Sequence, residues 1–469
     1  MTTLSRTLTV DRPVEEAFNY LADFSSTEQW DVNVLRAEKL TPGAPRPGTE
    51  FSIIAKAGPG KTPMEYCILD LKPNLMIRLK GKARNFTLTD TITLEALSEA
   101  RTRIDYTVDV EMGGLTGKLT DTFPGLLEPM TDRAVNGLVR ALNDRKEPIS
   151  EPSELADKLV LPGMMKFTRL GYLRAKKHWK GLSANLTGKK AVITGASSGL
   201  GRETAIALAK MGAEILVVAR NPDKVKDLSE EITAETGRPI HSVIADLSLI
   251  EETARAASDI SGKFPVIDIL VNNAGALFND RQVTPEQFEK SFALLLLSPF
   301  VLTETLLPNL EKSAQGRVIN VSSGGMYTQP VYLDDLQYEE GTYDGPKAYA
   351  RAKRGLVDMT EFWTRQHRNS HVTFNAMHPG WADTPAVASS MPGFYKVTRP
   401  LLRTPREGAD TIIWLAAARE VEDHSGKFWL DREPHTTVIF PGTGSSEAKQ
   451  AKLHSQLTEL AQQIATPGS

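Results

Sequence analysis

Two rhythms of apolar residues divide the chain. In the first part, apolar and polar positions alternate: Ile104, Tyr106, Val108 and Val110 are separated by Asp105, Thr107 and Asp109. A period of two marks a strand with one buried and one wet face. Segments of the same kind occur at TEFSIIA, MEYCILDL, LMIRLKG and DTITLEAL, broken by the turn signals PGAPRPG, AGPG and KPN. Leu127, Met130, Ala134, Leu138 and Ala141 then recur every three or four residues, which predicts a long helix with one apolar stripe. The expectation for residues 1–145 is an α+β domain, an antiparallel sheet closed by its C-terminal helix.

From Val192 onward the rhythm changes. AVIT, EILVVA, HSVIADL, IDILVNNA, GRVINVSS and HVTFNAMHPG read as buried strands separated by helix-length stretches. That alternation predicts a parallel sheet covered on both faces, a doubly wound α/β domain over residues 186–441. The apolar run Ala293–Leu302 spans about half a membrane thickness and reads as a buried helix.

Residues 146–185 read as a basic amphipathic connector. Here Lys158, Lys166, Arg169, Arg174, Lys176, Lys177 and Lys180 are interleaved with Leu159, Met164, Phe167, Leu170, Tyr172 and Trp179. Residues 158–180 therefore suit peripheral contact with a membrane, or a helix docked on its own protein with a solvated basic face. The docked helix is favoured. Residues 442–469 are expected to be a polar, peripheral tail.

A net charge of −3 gives no reason to expect a nucleic-acid partner. Cys67 is the single cysteine, so no intrachain disulfide can form. With no apolar leader in MTTLSRTLTVDRPVEEAF, the expectation is a cytoplasmic protein. The first histidine is His178, and carboxylates in the first domain are not clustered at ligand spacing. Neither a metal site nor a nucleophilic triad is expected there.

Candidate chemistry lies in the second domain. Thr194-Gly195-Ala196-Ser197-Ser198-Gly199-Leu200-Gly201 follows a strand and opens the helix RETAIALAKMG. Gly195 permits the tight turn, and Gly199 and Gly201 let backbone approach a pyrophosphate at the helix N-terminus. Arg220 ends the second strand, where an acidic residue would bind ribose hydroxyls and a basic one attracts a 2′-phosphate. It argues for NADP(H) over NAD(H). Tyr349 and Lys353 stand four residues apart, on one helix face. A nearby ammonium is expected to lower the phenol's pKa toward neutrality.

Residues from about 188 to 440 resemble the short-chain dehydrogenase/reductase superfamily, a Rossmann fold. The resemblance rests on Thr194 to Gly201, Asp246-Leu247, Asn272-Asn273-Ala274-Gly275, Asn320-Val321-Ser322-Ser323, Tyr349 to Lys353, and Pro379-Gly380 with Thr384. It implies that Tyr349 exchanges a proton with a carbonyl or alcohol oxygen, while Lys353 lowers its pKa and binds the nicotinamide ribose. Ser323, ahead of Ser322, would hydrogen-bond the substrate oxygen. Asp246 would contact the adenine, Asn273 would line the cofactor floor and Thr384 would hold the carboxamide. Ser197, Ser198, Leu200, Leu247, Ala274, Gly275, Pro379 and Gly380 complete the implied cofactor site.

Two departures stand out. The superfamily usually carries an asparagine that helps hold a proton-relay water, where this chain aligns Leu295. Ser323 and Tyr349 are also separated by 26 positions, about twice the usual interval in the resembling family. The extra residues, including Gln329-Pro330-Val331-Tyr332-Leu333 and Tyr343, are expected to form a loop over a bulky substrate pocket with Trp381 and Met391. His378 has no triad partner in view and is expected to be structural.

The first domain's order of strand, PVEEAFNYLADF helix, Trp30, meander and long terminal helix resembles the START-like polyketide cyclase/lipid transport superfamily, a helix-grip fold. That implies an apolar cavity and a hydrophobic-ligand-binding module. Together the two resemblances lead to an NADP(H)-dependent oxidoreductase of a lipophilic carbonyl or secondary alcohol. The other class of reading is a lipid-binding or transfer protein whose Rossmann domain senses NADP(H) with little turnover. Homo-oligomers are common in the resembling superfamily.

Overall fold

The computed structural model describes residues 2–31, 33–57, 60–112, 128–142, 157–158, 165–179, 181–182, 184–384 and 392–465. Leu127, Leu159, Met164, Lys180 and Met391 lie outside the described residues. The chain forms two compact units, Met1–Lys146 with Lys177–Asn185, and Glu147–Lys176 with Leu186–Ser469.

In the first unit, β1 (Thr2–Val10), β2 (Val34–Lys39), β3 (Glu50–Ala57), β4 (Gly60–Lys72), β5 (Met76–Lys82), β6 (Phe86–Ser98) and β7 (Arg101–Met112) make one antiparallel sheet. Its order is β1-β7-β6-β5-β4-β3-β2. Register pairs Ile92 with Tyr106 and Leu94 with Ile104, so the inward-facing members of the alternation share one buried face. Helix α1 (Val14–Ala22) buries Ala17, Phe18 and Leu21. Helix α2 (Glu128–Leu142) buries Ala134, Leu138 and Ala141, the stripe read from the sequence. A Cβ on Gly137 would sit 1.9 Å from the Trp30 carbonyl oxygen, so only glycine lets α2 approach that closely.

The second unit contains α3 (Arg169–Lys176), β8 (Lys190–Thr194), α4 (Gly199–Lys210), β9 (Glu214–Ala219), α5 (Pro222–Thr236), β10 (His241–Ile244), α6 (Ile250–Lys263), β11 (Ile269–Asn272) and α7 (Lys290–Leu310). There follow β12 (Gly316–Val321), α8 (Gly345–Gln366), β13 (Val372–Met377), α9 (Pro405–Ala417), β14 (Phe428–Leu430), β15 (Glu433–His435) and α10 (Glu447–Ala465). The sheet order is β10-β9-β8-β11-β12-β13-β14-β15, with only the last pair antiparallel. The chain winds outward from β8 in one direction and then, through β11, in the other. In doubly wound sheets ligands bind at such a reversal, beyond the carboxyl ends of the strands. Strands buried on both faces, such as Ala191–Ile193 and Ile269–Val271, explain the unbroken apolar runs.

The described residues of 146–185 divide between the two units, and apolar side chains among them have places to go. Phe167 is buried among Met326, Tyr327, Val357, Ala376 and Phe428, and Tyr172 of α3 is buried too. Arg169 pairs with Glu407 at 2.9 Å and Lys166 with Glu433 at 3.4 Å. The expected polar tail is also corrected. Residues 447–465 form α10, whose Leu453 and Leu457 are fully buried in the main core, with Leu460, Ala461 and Ile464 packed beside them. That helix is amphipathic, and its sparse apolar positions are spaced for one stripe. The apolar run at Ala293 lies in α7, long and apolar enough to cross a membrane by composition but mostly buried here; Ala293–Leu297 adopts a π-helical turn.

Candidate active site

The strand-to-helix turn after β8 is shaped by glycine. Gly195 and Gly199 have φ of +67° and +58°, the left-handed region that favours glycine. A Cβ on Gly195 would lie 2.8 Å from the Ala274 Cα, and one on Gly201 would lie 2.6 Å from the Gly195 carbonyl oxygen. Asn273 Nδ2 donates to the Thr194 carbonyl at 2.9 Å, and Thr194 Oγ1 accepts from the N–H groups of Asn273 and Ala274 at 2.9 Å. The Asn272–Gly275 segment is thereby tied to the turn. Ser198 caps α4 in extended conformation but its side chain makes no capping bond, so it leaves the first-turn N–H groups to another acceptor. A Cβ on Gly199 would meet Thr384 Cγ2 at 3.4 Å, which places Thr384 against the turn. Glycines and helix N-terminus fit the pyrophosphate-bearing part of a dinucleotide, and Thr384, expected at the carboxamide, lies against the Gly199 side of that turn.

At the far end of that site, Arg220 lies 3.7 Å from Asp246, with the arginine side chain largely exposed. Burial raises the Asp246 pKa, but hydrogen bonds from the Ser248 N–H and hydroxyl, at 2.9 and 2.8 Å, and then the Arg220 charge outweigh it; the carboxyl stays below its usual range. Leu247 is buried in the core. Leu200 packs toward Gly408 of α9, and Ser197 is half-buried at the turn.

Ser323 and α8 carry the candidate reacting groups. Ser322 Oγ donates to the Lys353 carbonyl at 3.1 Å and is spent on the backbone. Ser323 Oγ accepts from the Gly325 N–H at 3.2 Å, and it is Ser323, not Ser322, that favours ionisation of the Tyr349 hydroxyl against burial. Lys353 is buried, and its Nζ donates to the Val321 carbonyl at 2.6 Å and lies 5.9 Å from the Tyr349 ring centre. A Cβ on Gly275 would sit 3.2 Å from Leu295 Cδ2 and 3.8 Å from Lys353 Nζ, so Leu295 lies in this corner. The π-helical turn that carries Leu295 is a local irregularity of a kind frequent at functional sites.

The expected lowering of the tyrosine's pKa is not what this geometry produces. Tyr349 is pushed up to about 12, chiefly by loss of water around it, with the Ser323 hydrogen bond opposing. Lys353 is pushed down to about 7 by burial. Desolvation penalises the charged form of each group, and the ammonium is directed to a carbonyl instead of the phenol.

Arg403 is a residue that the sequence did not mark. It is buried and donates to Asp431 at 2.5 and 2.9 Å, to the carbonyls of Lys166 and Thr168 at 2.6 and 3.3 Å, and to the Pro379 carbonyl at 3.3 Å. A Cβ on Gly380, at φ +74°, would lie 2.2 Å from its Nε. Arg403 thus seats the Pro379-Gly380 loop. Trp381, expected over the substrate, packs on Phe167 with ring centres 6.2 Å apart. His378 is buried against the same Phe167 ring, with no hydrogen-bond partner on either ring nitrogen; burial, then the Arg403 and His435 charges, push its pKa down to about 3. It stays neutral across the working range.

In the first unit the inner sheet face carries Asp90, whose Oδ1 accepts from the Tyr106 hydroxyl at 2.7 Å. Burial pushes this carboxyl up to about 6, opposed by the Tyr106 and Tyr66 hydroxyls, and its Oδ2 has no hydrogen-bond partner. Alternation hid it, because Asp90 occupies an apolar position of β6 between Leu88 and Ile92.

Lys353 makes stability depend on pH. Its folded pKa of about 7 lies below its unfolded value of about 10.4, so between those values the unfolded chain binds the extra proton. Stability is therefore expected to rise from about pH 7 to about pH 9.5, and Lys353→Met to flatten that rise. Urea midpoints at the two pH values check this; equal slopes in both proteins would contradict it.

Residues 189–393 match the short chain dehydrogenase family model, and residues 1–143 match that of polyketide cyclase/dehydrase and lipid transport. Dehydrogenase/reductase SDR family member 12 from Bos taurus is 39% identical over 307 residues, 64% of this chain and 96% of that relative. Retinol dehydrogenase 13 from Homo sapiens is 31% identical over 52% of this chain and 77% of its own length. A solved short chain dehydrogenase from Salmonella enterica serovar Typhi, 25% identical, covers 52% of this chain and 96% of its own, with a TM-score of 0.44. Glycine turn, Ser323–Tyr349 contact and buried Lys353 agree with the near full-length match to the first relative: the chain belongs to the short-chain dehydrogenase/reductase family, enzymes acting on CH–OH/C=O groups, and carries a polyketide cyclase-like first domain.

Proposed function

We propose that the chain is an NADPH-dependent reductase of a lipophilic carbonyl compound, with Tyr349 as the proton donor. The observation that carries this reading is the placement of Tyr349 one helical turn from the buried Lys353, whose Nζ lies 5.9 Å from its ring centre, with the phenol pushed up to about 12 and so protonated at neutral pH. Such a phenol is suited to act as an acid toward a carbonyl oxygen. A reduced nicotinamide, when bound, supplies the hydride to the carbonyl carbon. The proton passes from the Tyr349 hydroxyl to the carbonyl oxygen, leaving an alcohol and a phenolate. Ser323 holds the same oxygen by a hydrogen bond. Lys353, in the same cleft, would bind the nicotinamide ribose and supply positive charge near the phenolate left behind.

Arg220 supports the phosphorylated cofactor. Its guanidinium is exposed and only loosely paired with Asp246, leaving N–H groups for a 2′-phosphate. Similarity to a protein named retinol dehydrogenase supports a lipophilic substrate. In the first unit, the match to a lipid transport family supports a bound hydrophobic ligand, with Asp90 and Tyr106 as the polar pair that would orient it. Leu295, apolar beside Lys353, favours the second reading, a lipid-binding protein whose dehydrogenase domain turns over slowly.

Tyr349→Phe separates the two readings. It is expected to lower kcat for NADPH-dependent carbonyl reduction by about 10²–10⁴-fold while NADPH binding persists. Unchanged turnover would remove the proposed acid. Arg220→Asp is expected to weaken NADPH by about tenfold or more and NADH far less, as fluorescence titration would show; equal weakening of both cofactors would remove the argument from that residue. Organic extraction of the purified chain, followed by mass spectrometry, is expected to recover an apolar molecule that Asp90→Leu retains less well. Recovery of nothing from the native chain would end the ligand role of the first unit.

A further inference from the structure

The segment between Ser323 and Tyr349 is long, and the structure shows what holds it. Residue 351 lies two positions from both Tyr349 and Lys353, so on a helix it does not share their face. Arg351 turns away from the reacting groups and grips that segment. Its Cζ lies 3.9 Å from the Tyr332 ring centre and 3.8 Å from that of Tyr338, and its Nη1 donates to Asp335 Oδ2 at 3.2 Å. The other oxygen of Asp335 accepts from the Glu339 N–H at 2.6 Å, closing a turn in which Tyr338 takes a φ of +49°. A non-glycine residue holds that conformation only when its surroundings impose it.

Other bonds stitch the same segment to its neighbours. Arg281 Nε donates to the Tyr338 carbonyl at 3.2 Å, and the Glu289 N–H to Gln337 at 2.9 Å. Tyr343 donates to Glu289 at 2.8 Å, and Gln456 of α10 to the Leu333 carbonyl at 3.1 Å. Val331 is buried in the main core, where Leu333, Leu336 and Tyr349 pack as well. The segment is therefore fixed in place, packed on the same core cluster as Tyr349.

We propose that Arg351 is a specificity-determining positioning residue, holding residues 329–344 as a preformed wall of the substrate site so that a large apolar carbonyl compound is seated against Tyr349. This rests on the reductase reading above. Arginine suits the role because its flat guanidinium stacks on two rings while one N–H reaches the carboxylate. Its Nε has no acceptor, so the ring faces and the Asp335 bond make the contact. Lysine would keep the charge and lose the flat faces.

The test uses the full chain, Arg351→Lys and Tyr332→Ala, with all-trans-retinaldehyde as a bulky probe and 4-nitrobenzaldehyde as a compact one. Both variants are expected to raise KM for retinaldehyde by about tenfold, with kcat for the compact aldehyde changing less than about threefold. Amide hydrogen exchange across 329–344 is expected to quicken by about tenfold or more while NADPH affinity holds. Equal losses on both probes, or unchanged exchange, would overturn the proposal. If the native chain reduces neither aldehyde, the substrate reading fails, and exchange alone decides the clamp: undiminished protection in Arg351→Lys sinks it.

Discussion

Burial of the Lys353 side chain in one corner of the parallel sheet is the constraint on which the candidate site depends. There the ammonium of Lys353 is aimed at the Val321 carbonyl, and Tyr349 leans on Ser323. Both titratable groups are pushed toward their neutral forms by the same cause. A lysine that titrates near neutrality and a tyrosine that holds its proton can change state when charge enters the cleft, which groups solvated by bulk water would do far less readily. The helix that carries them is positioned from outside: Gly345 fits so closely beneath Phe278 that a Cβ there would lie 2.2 Å from its carbonyl oxygen, and Gly355 is crowded by Leu296.

A second buried charge organises the surroundings of this corner. Arg403 joins the Lys166–Thr168 backbone, the Pro379 carbonyl and Asp431. Asp431 and Arg432 form the two-residue turn of the β14–β15 hairpin, both at positive φ. Turns of that kind usually favour Asn-Gly. Here Asp431 is held by Arg403 and Arg432 by Asp410, at 2.8 and 2.7 Å. Paired side chains thus impose a conformation that the residue types would not choose. Deleting one partner of such a buried pair usually costs about 3–5 kcal/mol, because the other charge is left without compensation.

Legibility tracked the range of the interactions involved. Alternation along β6 and β7, the stripe on α2 and the unbroken apolar strands are local consequences of a period of two or 3.6 residues. They were readable, as were the glycine turn and the Tyr349–Lys353 spacing, because a few neighbouring residues specify them. Less readable were the features made by distant partners. Leu453 and Leu457 look like ordinary positions in a polar tail until the α6–α8 side of the core receives them. Phe167 belongs to a basic stretch until it meets His378 and Trp381.

By itself the amino-acid sequence determined two architectures, the place of the glycine turn and the helix face bearing Tyr349 and Lys353, since each depends on backbone periodicity and steric rules acting over a few residues. Tertiary structure alone decided the protonation tendencies of that pair, the seating of Phe167 and α10, the part played by Arg403 and the grip of Arg351. Those properties come from water being removed and charges meeting across tens to hundreds of positions, and no local pattern records such meetings.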